Sequence, residues 1–175
     1  GRECRQQVIW FGQLAQHPGL RSAMVVQRRG GASCEIIGQP LATFDTAPQI
    51  LRFVYEPHAA VLAAQLTGAL AREHQLLGVH SKSAYLTGDQ PVVSPLLSTF
   101  EVLENLPFDM KRLRHALRER SIGHLEIKKR AVSADPHQLR KKLENRGHRR
   151  ATLLITPQGR GIRAILAQRA VQSAQ

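Results

Sequence analysis

The sequence predicts an α/β chain of the α+β kind, closing on a β-α-β-α-β-β module between residues 99 and 170. Three observations carry this. Strand-type alternation and helix-type apolar spacing take turns along that stretch, helix-start signals stand where each helix should begin, and a Gly-rich turn joins the last two strands. Right-handed crossovers put both helices on one sheet face, giving a two-layer sandwich whose other face is open to a ligand or a neighbouring domain.

Within the module, Thr99-Phe100-Glu101-Val102-Leu103 alternates as a strand. Pro107-Phe108-Asp109 then opens a helix with Leu113, Ala116 and Leu117 inward and Lys111, Arg112, Arg114, Arg118 and Arg120 around its polar side. Residues 122–128 alternate again, Leu125 and Ile127 on one face, His124 and Glu126 on the other. Asp135-Pro136-His137-Gln138 carries an N-cap acceptor, a proline at the first helical position and a capping-box glutamine. That helix buries Leu139 and Leu143 and ends at Asn145-Arg146-Gly147, where Gly147 is expected in the left-handed conformation that closes helices. Strands at 151–156 and 162–167 flank the turn Pro157-Gln158-Gly159-Arg160-Gly161.

Ahead of the module, Val8, Ile9, Trp10, Phe11 and Leu14 line one side of a short helix stopped by His17-Pro18-Gly19. Strands at 23–27 and 33–37 around Arg28-Arg29-Gly30-Gly31 read as a hairpin, and the aperiodic stretch 38–49 as a connector. Pro57 begins a helix running to about Glu73 with Val61, Leu62, Leu66, Ala69 and Leu70 inward, followed by a loop-rich stretch with one short strand at 83–87. The expected divisions are therefore 1–50, a helical and loop connector over 51–98, and the module over 99–170.

Charge concentrates in the last part. Residues 1–100 hold 8 basic and 6 acidic groups, residues 101–175 hold 17 and 7, and the whole chain carries +12. An anionic partner follows, and nucleic acid is preferred to a membrane because no apolar run is long enough to span one and no basic amphipathic helix has a broad aromatic face. Lys128, Lys129, Arg130, Arg140, Lys141, Lys142, Arg149 and Arg150 are the candidate phosphate contacts, expected to form one continuous basic surface. A merely solvating face, or one that docks an acidic protein, is the competing reading of the same residues. RNA is favoured over DNA, since no helix-turn-helix or zinc-finger pattern is present. Stacking is disfavoured because Phe100 and Phe108, the module's aromatics, read as core.

Cys4 and Cys34 have no metal-ligand spacing with histidine, no signal peptide opens the chain, and a reducing, cytoplasmic setting with no metal is expected. Ser, His and Asp never stand in a nucleophile context, no Gly-rich nucleotide fingerprint follows a strand, and no catalytic or cofactor-binding residue is assigned. Tyr55-Glu56-Pro57 and Tyr85-Leu86-Thr87-Gly88-Asp89 are the distinctive polar clusters of the first part, compatible with capping and loop structure alone.

Taken in order, Glu3-Cys4-Arg5 with Val8-Ile9-Trp10-Phe11-Gly12, Tyr55-Glu56-Pro57-His58-Ala59, Tyr85-Leu86-Thr87-Gly88-Asp89, Leu106-Pro107-Phe108 and Gly123-His124-Leu125-Glu126-Ile127-Lys128-Lys129-Arg130 resemble the C-terminal portion of bacterial class I S-adenosylmethionine-dependent methyltransferases that carry a THUMP-like domain. The resemblance implies that residues 1–50 are the last helix and closing hairpin of a Rossmann-like methyltransferase domain, and that the module is the THUMP-like domain. It implies a role in holding structured RNA, tRNA or rRNA, for methyl transfer. S-adenosylmethionine is then the cofactor of a full-length member and not of this chain, with a methyltransferase catalytic half as a candidate partner.

Overall fold

The computed structural model describes residues 3–26, 33–143 and 146–170. The fold class is α/β, as expected. Strands β1 (Arg21–Val25) and β2 (Cys34–Gly38) pair antiparallel, Val25 opposite Cys34, with Ala23 and Ile36 turned into a core. Their expected turn at 28–31 lies outside the described residues. The helix expected at 8–14 is not there: only a single 3-10 turn forms at Gly12–Leu14, and Val8, Ile9, Trp10 and Phe11 are exposed. Four consecutive apolar residues do not make a stripe at helical spacing, and a short helix forms in water only when its apolar face is covered.

The connector expected over 51–98 supplies strands as well as helices. Strand β3 (Phe53–Pro57) is buried along its whole length, and Pro57 ends it opposite Leu97 instead of starting a helix. His58 is the N-cap of α1 (Ala59–Ala63), its ring nitrogen accepting from the Ala60 N–H at 3.2 Å. The single long helix expected to Glu73 is broken into α1 and α2 (Thr67–Glu73). At the break Gln65 has φ 60°, and its carbonyl leaves the helical ladder to accept from the Leu41 N–H at 2.9 Å. Gly68 on α2 then passes so close to the Ala42 carbonyl that a Cβ would lie 1.9 Å from its oxygen. Two short strands follow, β4 (Leu77–Gly78) and β5 (Leu86–Gly88).

The module has the expected order: β6 (Leu97–Pro107), α3 (Met110–Glu119), β7 (Ile122–Lys129), α4 (Pro136–Lys142), β8 (Arg149–Gln158) and β9 (Gly161–Arg169). Asp109 and Asp135 cap the two helices, accepting from the N–H of Arg112 at 2.8 Å and of His137 at 2.9 Å. Gly159, at φ 55°, makes the two-residue turn between β8 and β9. Gly147 does something other than close α4. Its backbone packs against the start of β7, where a Cβ on Gly123 would stand 1.7 Å from the Gly147 oxygen. The glycine pair is needed for that contact, not for positive φ.

All seven of these strands join one mixed sheet in the order β4-β5-β3-β6-β9-β8-β7, with β7 and β8 parallel and the other pairs antiparallel. One face carries two cores. Val61, Leu66 and Leu70 from α1, α2 and the link between them cover Phe53 and Tyr55, while Leu113, Leu117, Leu139 and Leu143 cover Leu153, Ile155, Ala164 and Leu166. The opposite face was expected to be open, and part of it is closed: Val79 and Tyr85 bury Val54, Phe100, Leu154, Ile165 and Ala167.

Candidate nucleic-acid interface

Strand β7 is the last strand of the sheet, and its outer flank borders a groove of about 950 Å³. Helix α4 contributes His137, Arg140 and Lys141; β7 contributes His124 and Glu126; β8 and β9 add Arg150, Thr152 and Arg169. The cations come together for local reasons. The Asp135 cap and Pro136 fix where α4 begins, Leu139 and Leu143 anchor it, and Arg140 and Lys141 are left on its exposed side. Strand β8 is exposed at its first two residues, Arg149 and Arg150, and buried from Ala151 onward, which leaves Arg150 at the groove. Four cations thus face one carboxylate, Glu126, among the described lining residues. Among the described lining residues there is no Phe, Tyr or Trp, and the aromatic rings are the imidazoles of His124 and His137, so the groove is built chiefly to neutralise phosphates and donate to them.

Arg169 is held in place. Its guanidinium lies 5.0 Å from the centre of the Phe100 ring and 3.5 Å from Glu126. Glu126 also accepts from the Thr152 hydroxyl at 3.4 Å and lies 3.5 Å from the Lys128 ammonium.

The eight residues expected as phosphate contacts do not form one continuous surface. In the parallel pair, His124 stands level with Arg150 and Lys129 level with Ile155, five residues further along. At about 3.3 Å per residue the two clusters are roughly 17 Å apart. Arg140, Lys141 and Arg150 line the groove; Lys142 and Arg149 are exposed near it; Lys129 is exposed at the far end of β7. Lys128 and Arg130 are engaged inside the protein. The buried Glu56 carboxylate takes the Lys128 ammonium at 2.8 Å and the Arg130 guanidinium at 3.2 Å. Three strands separate β3 from β7, which in a flat sheet would hold these groups roughly 19 Å apart. The sheet therefore curls until side chains of β3 meet those at the β7 edge across the face covered by Tyr85. Burial first, and then the neighbouring Glu56 charge, push the Tyr85 phenol well above its ordinary range. Beside it the Ser83 and Thr156 hydroxyls hydrogen-bond at 2.8 Å.

Residues 97–169 match the family model of the THUMP domain-like family. The match spans the module from β6 to β9. Two proteins of Mycobacterium tuberculosis, from strains CDC 1551 and H37Rv, are named as uncharacterized S-adenosylmethionine-dependent methyltransferases; each is 39% identical to this chain over 110 residues, covering 63% of it and 30% of theirs. The chain therefore spans under a third of the length of these relatives. The crystal structure of a "putative methyltransferase" from Porphyromonas gingivalis W83 superposes with a TM-score of 0.70 at 21% identity, over 85% of this chain and 37% of that one, and shows a shared fold. The family resemblance carried by the sequence motifs is the one these relatives bear out.

Arg169, His124 and His137 were not among the expected contacts. The signal for His124 was present, since alternation placed it with Glu126 on the outer face of β7. Arg169 carried no such signal. It ends β9, distant in sequence from every basic cluster, and only the antiparallel pairing of β9 with β8, which sets Ala167 opposite Thr152, brings it to the groove.

Proposed function

We propose that this chain binds structured RNA through the groove beside β7, with Arg140, Lys141, Arg150 and Arg169 on phosphates, and positions it for an S-adenosylmethionine-dependent methyltransferase. The observation that carries this reading is the concentration of four cations against one carboxylate in a groove whose described lining has no Phe, Tyr or Trp. Such a surface favours a folded phosphate backbone over splayed single-stranded bases. The methyltransferases to which the chain is similar give that binding a use. Lys129, Lys142 and Arg149 extend the positive field as exposed cations. Lys128 and Arg130 serve the fold through Glu56.

The residues present do not suit the cofactor itself. Among the described residues, no Gly-rich turn links a strand to a following helix. Methyl transfer is therefore assigned to a catalytic half outside these residues.

Docking to such a half is the second reading, and it is favoured by a different surface from the basic one. Val8, Ile9, Trp10 and Phe11 are exposed together, as are Met24 and Val26 at the end of β1. Apolar exposure of this extent marks an interaction site.

The test is a titration of the whole chain with a fluorescent, structured RNA hairpin at several salt concentrations. Submicromolar binding at low salt that weakens linearly in log–log form as salt rises is expected. Negligible affinity at low salt, or affinity indifferent to salt, overturns the proposal.

A further inference from the structure

We infer that Glu126 is the specificity-determining residue of the groove, accepting a hydrogen bond from a nucleotide donor, either a base amine or a ribose 2′-hydroxyl. This rests on the RNA-binding reading above and deepens it. A groove that only gathered phosphates would gain by having no carboxylate, because a negative charge among the cations repels every phosphate that enters. Glu126 nevertheless stands there, about half exposed, level with Thr152 in the β7–β8 register. It is also oriented. Donors from three strands fix it: Lys128 on its own strand, Thr152 on β8 and Arg169 on β9.

These three contacts lie at 3.4–3.5 Å, and the half-exposed carboxylate keeps acceptor capacity toward the groove. A carboxylate repels phosphate oxygens but accepts well from N–H and O–H groups, as in carboxylate recognition of a cytosine amine. The 2′-hydroxyl is the group that lets a protein distinguish RNA from DNA. The cations around Glu126 thus supply affinity, and Glu126 supplies selection by rejecting a misplaced phosphate and rewarding a donor.

The sign of one substitution, together with its dependence on the sugar and on the hairpin sequence, separates this from a structural or incidental carboxylate. Binding of an RNA hairpin, and of a DNA hairpin with the same sequence, is measured for the wild-type chain, Glu126→Ala and Glu126→Gln at matched salt. Unchanged circular dichroism establishes folding, and Glu126→Gln serves if the alanine variant fails to fold. The expected result is RNA binding weakened by about tenfold in Glu126→Ala. Weakening on RNA alone identifies the 2′-hydroxyl, weakening on both hairpins that changes with the hairpin sequence identifies a base amine, and equal weakening on both whatever their sequence, the outcome of merely releasing Arg169, overturns the assignment. RNA binding that is unchanged or tighter, the outcome of merely removing a negative charge, overturns the assignment. Failure of the wild-type chain to bind either hairpin instead overturns the RNA-binding reading itself.

Discussion

Replacing Glu56 by alanine should destabilise the chain far more than an exposed ion pair would suggest. The carboxylate is buried and holds two cations, Lys128 at 2.8 Å and Arg130 at 3.2 Å. Removing one partner of a fully buried pair strands the opposite charge and costs about 3–5 kcal/mol. The Lys128 and Arg130 side chains keep 21% and 37% of their exposure, so water recovers part of that deficit and the expectation falls to about 2–3 kcal/mol. With a urea m-value of about 2 kcal/mol/M for a small protein, the unfolding midpoint should drop by roughly 1–1.5 M. Adding Lys128→Met to Glu56→Ala should restore part of the stability, because one stranded charge is gone. A midpoint shift below about 0.3 M for Glu56→Ala would refute the idea that this ion-pair cluster holds β3 to the β7 edge of the sheet.

Three further outcomes are expected. Replacing Arg140, Lys141 and Arg150 together with alanine should lower the salt dependence of RNA binding by about one unit of log–log slope for each phosphate no longer neutralised, whereas Lys129→Ala should lower it less; equal effects would remove the groove from the interface. Gly123→Ala should destabilise the fold by more than about 2 kcal/mol in urea unfolding, since its Cβ would meet the Gly147 carbonyl oxygen at 1.7 Å and every atom it meets is backbone. Tyr55 is raised to about 12 by burial, and secondarily by Asp89, while Tyr85 is raised further. In both cases the folded state holds the phenol proton more tightly than the unfolded chain, with its value near 10. Their contribution to stability is therefore complete below about pH 10; that of Tyr55 disappears as pH rises through about 12, and that of Tyr85 persists to higher pH. In an alkaline titration, phenolate absorbance should appear together with collapse of the circular dichroism signal. Ionisation of either tyrosine near pH 10 with the fold intact would contradict this.

The module was legible in the sequence because its signals are local and agree with one another. Asp135 and Pro136 start a helix, Gly159 turns a hairpin, and Leu153, Leu154 and Ile155 read as a buried strand, all without reference to distant residues. The errors share a different cause. Pro57 satisfies the first turn of a helix and the last residue of a strand equally well, and the choice is made by Leu97, forty residues away. The continuous apolar run Val8–Phe11 says only that something should cover it. At the candidate site, composition located the positive charge, but counting cations could not distinguish Lys128, occupied by Glu56, from Arg150, which faces the groove. That distinction depends on curvature of the sheet, and curvature is a property of seven strands together.

The family model begins at residue 97, yet the sheet does not. Strand β6 is shared: residues 97–101 pair with β3 on one side, while from Phe100 onward the strand pairs with β9 on the other. Cutting the chain at that boundary would strip a partner from β6, uncover Phe100, Leu154 and Ile165, and release Lys128 and Arg130 from Glu56. An excised domain would then be prone to edge-to-edge association and would display two cations that the intact chain keeps to itself. Its apparent grip on RNA would be inflated for reasons unrelated to recognition. The unit of recognition by family and the unit of cooperative folding are different lengths of this polypeptide, and an affinity measured on the shorter one would describe another molecule.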